Sequence, residues 1–265
     1  MMKIFLYSIV GLLLISVFLP VCAYAVDPEG LVLYYTFDTE DDKTITDLSG
    51  NGNNAVIGGS PKWVAGVRGE ALEFNTQGDE LTVPDSDSLK PDVITIALWV
   101  NWTGDLLPAK PIQKYTYEAG GFVFKMENAE TNMWIYDVDA GAHMYRAIPL
   151  PVPGEWTHLA ATFDGEFQRG YVNGVVSRQG GGPDMAWNGP IGHVAVPLII
   201  GAHSGDTYTG MIDEVAIYNR ALSEQEILEA MEKGHGIIAV RPLDKLTTCW
   251  ARTKLADPHQ SKLLH

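Results

Sequence analysis

The stretch Glu155-Trp156-Thr157-His158-Leu159-Ala160-Ala161-Thr162-Phe163-Asp164-Gly165, followed by Tyr171-Val172-Asn173-Gly174, decides the fold. Trp156 to Phe163 and Gln168 to Asn173 are short runs of the kind that form strands, closed by Asp164-Gly165 and Asn173-Gly174. Both dipeptides suit two-residue hairpin turns, whose central positions want positive φ. The pattern repeats outward in both directions: Leu31 to Phe37, Ala71 to Phe74, Glu80 to Val83, Val93 to Asn101, Gly121 to Glu127, Thr131 to Val138, Leu198 to Gly201 and Gly210 to Tyr218, each ended by Gly, Pro, Asn or Asp. Strands and turns at this spacing predict an all-β sandwich or barrel. Within Val93 to Asn101, Ile94, Ile96, Leu98 and Val100 fall on one face and Thr95, Ala97, Trp99 and Asn101 on the other, which predicts a central strand. Trp99 and Trp156 are assigned to the core.

One helix is legible at both ends. Ser223 and Glu226 form the Ser-x-x-Glu capping box, Ile227, Leu228 and Met231 supply an apolar stripe, and Gly234 stands where a C-cap is expected. Residues 236–265 then change character, with Arg241, Lys245, Arg252, Lys254 and Lys262 outnumbering Asp244 and Asp257. They read as a basic tail, loosely ordered or pairing with a sheet edge through Gly236 to Val240.

At the other end, Lys3, the apolar run Ile4 to Leu19, and Ala23-Tyr24-Ala25 have the order of a signal peptide, so residues 1–25 are expected to be cleaved. Cys22 offers a lipid-anchor alternative, although Val21 is bulky for such a site. Removing 25 of the 265 residues leaves 240, one large all-β domain over 26–235 plus the tail. Only Cys249 survives cleavage, so burial of apolar surface has to stabilise the fold without an intrachain disulfide. The formal charge of −15 argues against nucleic acid as a partner, and no stretch of the mature chain is apolar enough to span a bilayer.

The order of motifs resembles the laminin-G-like jelly-roll domains of the concanavalin-A-like lectin and glucanase group. Tyr34-Tyr35-Thr36-Phe37-Asp38 is similar to the family's opening strand, and Asp47-Leu48-Ser49-Gly50-Asn51-Gly52-Asn53-Asn54 to the loop after it. Gly69-Glu70-Ala71-Leu72-Glu73-Phe74, the hairpin stretch that decides the fold, and Gly210-Met211-Ile212-Asp213-Glu214-Val215-Ala216-Ile217-Tyr218-Asn219-Arg220-Ala221-Leu222-Ser223 complete the resemblance over residues 30–234. It implies a two-sheet antiparallel jelly roll of about a dozen strands, with one short C-terminal helix here. Members bind sugars, glycoconjugates or proteins, often with calcium on the rim.

Two sets of site residues follow. For a structural calcium, Asp38, Asp47, Asn53 and Asp213 are the candidate ligands, since a hard cation takes six to eight oxygens and the resemblance brings the first and last strands together. The other reading of the same residues is that Asp47 and the asparagines make Asx-turns while Asp213 pairs with Arg220 or accepts backbone hydrogen bonds. For a ligand, Trp134, Tyr136, His143 and Arg146 combine an aromatic face with planar hydrogen bonders, as sugar recognition requires. Trp102, Tyr115, Tyr117, Tyr145, Trp187 and Tyr208 are further aromatics whose convergence the sequence does not decide. No Glu-x-Asp-x-x-Glu run, Gly-x-Ser-x-Gly elbow, His-Glu-x-x-His motif or phosphate loop occurs. Asp213 and Glu214 are adjacent, so on a regular strand they point to opposite faces. The expectation is an exported, non-catalytic, monomeric or weakly associated module of adhesion or carbohydrate recognition. The alternative is a protein-interaction or structural module of the cell envelope.

Overall fold

The computed structural model describes residues 28–39, 43–105, 107–117, 119–137, 141–177, 185–186, 189–201 and 207–235, with backbone alone for 137, 141–147 and 185–186. The proposed signal peptide, the acidic cluster Glu40 to Asp42, the tail with Cys249, and Trp187 lie outside the described residues. In chain order the strands are β1 Leu31–Tyr35, β2 Thr44–Ile45, β3 Ala55–Gly58, β4 Lys62–Ala65, β5 Glu70–Phe74, β6 Glu80–Val83, β7 Ile94–Trp102, β8 Ala109–Thr116 and β9 Gly120–Glu127. They continue as β10 Glu130–Asp137, β11 Gly141–Pro149, β12 Thr157–Phe163, β13 Phe167–Val172, β14 Val175–Val176, β15 Met185–Ala186, β16 Leu198–Gly201 and β17 Gly210–Tyr218, before helix α1 Glu224–Lys233.

These strands form two antiparallel sheets. The nine-stranded sheet runs β14-β13-β12-β7-β17-β5-β4, with β1 on β17 and β15 on β13; the eight-stranded sheet runs β11-β10-β9-β8-β16-β6-β3-β2. The expected central strand is β7, between β12 and β17, and its Ile94, Ile96, Leu98 and Val100 sit in the core between the sheets. The strands exceed the dozen expected, in part because β2, β14 and β15 are only two residues long. The two tryptophans assigned to the core are half-buried instead. Trp99 alternates away from Leu98 and Val100 onto the outer face of β7, where its ring meets His158 edge-on at 5.3 Å, and Trp156 stands just before β12.

A second apolar cluster covers the outer face of the nine-stranded sheet. Ala97, Ala160 and Ala216 leave the sheet surface low enough for α1 to settle on it, with Leu31, Tyr34, Tyr171, Tyr218, Leu222 and Ile227 packed around them. The capping box forms as expected: Ser223 Oγ accepts from Glu226 N at 3.3 Å, and Glu226 Oε2 accepts from Ser223 N at 2.8 Å. Gly234 ends the helix at φ +82°, with its N–H donated to Ala230 O.

The edge of β1 turned away from β17 has no partner strand among the described residues; the Asp47 to Asn54 loop satisfies it. Tyr34 N donates to Asp47 Oδ1 at 3.0 Å, Leu48 N donates to Tyr34 O at 2.9 Å, and Val32 O accepts from Ser49 Oγ at 2.8 Å and from Asn53 Nδ2 at 2.8 Å. An edge strand buried in a sandwich needs such partners, because an unpaired backbone group out of water is costly.

Candidate functional site

The four predicted calcium ligands do not converge. Asp47 is buried and its two oxygens are taken by N–H and O–H donors: Oδ1 accepts from Tyr34 N and Ser49 N, and Oδ2 from Ser49 Oγ and Asn53 N. Asn53 spends its amide on Val32 O and Ser88 Oγ, and its Oδ1 accepts from Ser86 Oγ at 2.7 Å. Asp38 and Asp213 do share a corner, but the object between them is the turn joining β4 to β5. Asp38 Oδ1 accepts from Glu70 N at 3.1 Å, and Asp213 Oδ2 accepts from Val67 N at 2.8 Å and Arg68 N at 3.1 Å. Among the described residues no three His, Cys, Asp or Glu side chains form a group that could hold a metal ion. Asp47 and Asn53 thus serve the edge of β1, and Asp38 and Asp213 serve the turn between β4 and β5. The Asx-turn and backbone-acceptor reading describes these residues.

The expectation for Asp213 and Glu214 needs a second correction. Alternation fails at this point because β17 carries a bulge between Asp213 and Ala216, with Glu214 at φ +51°. Ile212 and Val215 both face the core, so Asp213 and Glu214 leave the strand on the same outer side. The bulge sits where β17 changes neighbour, from β5 at Gly210–Ile212 to β1 at Val215–Tyr218. Asp213 is fully buried, and burial pushes its carboxyl up to about 7 against the backbone N–H of Arg68 that pulls it down. Glu214 accepts from Tyr34 Oη at 2.7 Å and pairs with Arg68 at 3.5 Å; burial raises its carboxyl too. Arg68 also donates to Met231 O at the helix C-terminus, and His235 Nδ1 lies 3.2 Å from Tyr218 Oη. Burial holds His158 and His235 down to about 3, so both are neutral at physiological pH. These groups pin the turn, the bulge and the helix end together beneath the outer surface.

An aromatic cluster lies on the outer face of the other sheet, where Tyr136 is buried, Tyr115 and Trp134 are half-buried and Tyr117 is exposed. Met133 and Ile135 of β10 enter the core, which turns Asn132, Trp134 and Tyr136 outward; on β8, Ile112 enters the core and Gln113 and Tyr115 turn outward. Register does the rest. Tyr115 and Tyr136 are both paired with Gly121 of β9, and Gln113 and Trp134 with Val123. With no side chain at Gly121, the rings of Tyr115 and Tyr136 meet across β9, stacked at 4.9 Å and 18°, and Trp134 continues the stack on Tyr136 at 5.8 Å and 16°. No other residue fits at 121: its φ is +101°, and a Cβ would strike Lys114 O and come within 2.6 Å of Tyr115 Cα.

Lys125 Nζ lies 5.6 Å from the Trp134 ring centre and 2.9 Å from Glu127, and Lys110 Nζ donates to Tyr115 Oη at 2.7 Å. Tyr117, 69 % exposed, meets Tyr136 edge-on at 6.3 Å. Asn132 Oδ1 and Trp134 Nε1 find no hydrogen-bond partner among the described residues. Of the four predicted ligand residues, then, the structure brings Trp134 and Tyr136 together. His143 and Arg146 have side chains outside the described residues; their backbones pair with the core residue Ile135 and with Asn132 respectively. Sequence reasoning left Tyr115 undecided and missed Gln113, Lys110 and Lys125. The signal was present as Gln113-x-Tyr115-x-Tyr117 and Asn132-x-Trp134-x-Tyr136, two strands with polar and aromatic residues at every second position.

Two packed antiparallel sheets, one outer face closed by a helix and the other bearing an aromatic stack with no helix over it among the described residues, define a lectin-like β-sandwich. The chain belongs to the laminin-G-like family of the concanavalin A-like lectin/glucanases superfamily, whose profile matches residues 75–228, more than half of the sequence. Human pappalysin-1 is 32% identical over 106 residues, which is 40% of this chain but 6% of that protein. Among solved structures, domain 4 of AbnA, a GH43 extracellular arabinanase from Geobacillus stearothermophilus in complex with arabinotriose, superposes with a TM-score of 0.61 at 20% identity, covering 75% of this chain and 97% of that domain. The receptor binding domain of botulinum neurotoxin C/D mosaic serotype superposes with a TM-score of 0.64 at 12% identity, covering 78% of this chain and 52% of that one. At these identities the likeness is one of fold. The family and the structures it resembles are mostly binding domains, and no helix among the described residues is long and apolar enough to cross a membrane.

Proposed function

We propose that the protein is an exported carbohydrate-recognition module that binds its ligand on the outer face of the eight-stranded sheet and carries out no reaction on it. The observation that carries this reading is the Tyr115–Tyr136–Trp134 stack on a sheet face that no helix among the described residues covers. Aromatic rings and amide side chains together suit sugars, whose apolar ring faces stack while their hydroxyls demand hydrogen bonds. Lys110 and Lys125 stand beside this stack, and Gln113 and Asn132, both buried, share its face of the sheet. The arabinotriose complex of the arabinanase domain supports the reading by analogy of fold. Asp213 and Glu214 are excluded from catalysis in this proposal because both are buried in service of the turn and helix. Export rests on the signal-peptide pattern, and N-terminal sequencing of the secreted protein should begin at Val26.

A glycan array followed by titration calorimetry tests the ligand class. Saturable binding to a defined set of glycans is expected, weakened about tenfold, or about 1.4 kcal/mol, by Trp134→Ala or Tyr115→Ala. A blank array over neutral and acidic glycans would sink the proposal, as would release of reducing ends from a polysaccharide.

A further inference from the structure

We infer that the depression between β8 and the segment preceding β16 is a subsite for one neutral, N-acetylated sugar ring, a deepening that rests on the carbohydrate reading above. Register assembles it. Leu198 and Ile200 of β16 enter the core, which turns Ile199 outward beside its partner Gln113 of β8. Two residues after Gln113 and two before Ile199, the same alternation brings Tyr115 and Pro197 to that face. Together with Val196 these residues line an open depression of about 190 Å³. Pockets that enclose drug-sized ligands run to roughly 300–1,000 Å³, so this one suits a single ring rather than an oligosaccharide.

The lining selects the kind of ring. Tyr136 stacks on Tyr115 at 4.9 Å, and the Tyr115 ring borders the depression as an aromatic surface on which a pyranose stacks. Gln113 is 8 % exposed, and among the described residues its side-chain amide has no hydrogen-bond partner. An amide shielded from water needs both its N–H and its C=O paired. The acetamido group of a sugar supplies the complement: its C=O accepts from Gln113 Nε2, and its N–H donates to Gln113 Oε1. Val196, Pro197 and Ile199 make the rest of the lining aliphatic. Hydroxyls gain nothing against such a surface, whereas the acetamido methyl is buried there favourably. Among the described residues no charged side chain lines the depression, so a sugar carboxylate or ammonium would lose water without finding a partner. The aliphatic part is set before any ligand arrives. Lys114, 2 % exposed, donates to Val194 O at 3.2 Å and to Val196 O, and is held by Asp85 at 2.5 Å. Gly192 N donates to Tyr136 O at 2.8 Å, tying the same segment to the stack. A surface fixed in this way spares the ordering cost on binding.

Nuclear magnetic resonance on the ¹⁵N-labelled chain provides the test, with N-acetylglucosamine and N-acetylgalactosamine titrated against D-glucose and D-galactose. Saturable shifts at the amides of Gln113, Val196 and Ile199 are expected, about fivefold tighter for each N-acetylated sugar than for its parent hexose. Added salt should leave the affinities unchanged, because no charge is in contact with the ring. Gln113→Leu should erase the N-acetyl preference, and Tyr115→Ala should weaken all four sugars together. If Gln113→Leu does not fold, Val196→Ala makes the same comparison, reducing the preference while the hexoses bind as before. Equal affinity for N-acetylated and parent sugars, or shifts confined to the Lys125 and Trp134 end, would overturn the subsite and leave the carbohydrate reading standing. The absence of a saturable shift with any of the four, alongside a positive array, likewise overturns the subsite alone; a blank array as well removes both.

Discussion

The two outer faces of the sandwich are built on opposite principles. On the nine-stranded sheet, alanines at 97, 160 and 216 leave room for α1, and the polar groups beneath it, Asp213, Glu214, Arg68, Tyr34 and His235, are spent on one another and on the backbone. On the eight-stranded sheet, large aromatic side chains take the outward positions and no helix among the described residues covers them. The first face turns polar chemistry into fixed geometry; the second is a stack of rings in which Tyr136 is buried, Tyr115 and Trp134 are half-buried and Tyr117 is exposed. A buried charged residue such as Glu214 is therefore accounted for by the fold it holds together.

The contrast can be tested, beginning with the largest effect. Gly121→Ala should cost about 3 kcal/mol or more, or prevent folding, because the added Cβ strikes backbone at a positive φ; denaturant melts of wild type and variant measure it. A loss below about 1 kcal/mol would mean the ring-bearing face does not depend on that close approach. On the closed face, Ala97→Leu should lift α1 and cost about 1–3 kcal/mol by overpacking, read from the same melts. An intact helix with unchanged stability would show that the alanine floor is not needed.

Ser223→Ala removes the capping box and should cost about 1 kcal/mol, visible as a lower thermal midpoint. The pH dependence of stability should also belong to the closed face. His158 and His235 fall from an ordinary 6.5 to about 3 on folding, so their contribution is complete above 6.5 and is lost as pH falls toward 3. Asp213, raised from 3.8 to about 7, works in the other sense: its contribution is complete below 3.8 and is lost as pH rises through 7. Melts from pH 3 to 8 should therefore flatten at the acid end in His235→Phe and at the neutral end in Asp213→Asn. The smallest effect is expected at Tyr117→Ser, within about 0.5 kcal/mol, since the ring is largely in solvent.

Much of the fold was legible because its signals are local. The 94–100 alternation, the Asp-Gly and Asn-Gly turns and the capping box each depend on residues a few positions apart. Strand β8 was harder to see, since Lys114 occupies a core-facing position that only Asp85 and the carbonyls of Val194 and Val196 make tolerable. The opposite-face reading of Asp213 and Glu214 failed because a bulge is invisible to a rule of alternation. For Asp47 the sequence left two readings open, because its loop chemistry serves an edge strand as well as it would serve a cation.

The sequence by itself determined the all-β class, the hairpins, the terminal helix and the acidic charge, since these follow from propensity, periodicity and composition. Only the tertiary structure decided that Tyr115, Tyr136 and Trp134 form one stack, that the acidic residues divide between two separate networks, and that one face carries the helix and the other the rings. Those outcomes hang on register and on contacts between distant parts of the chain, as between Val67 and Asp213. Shifting a strand by one residue would exchange every inward side chain for an outward one.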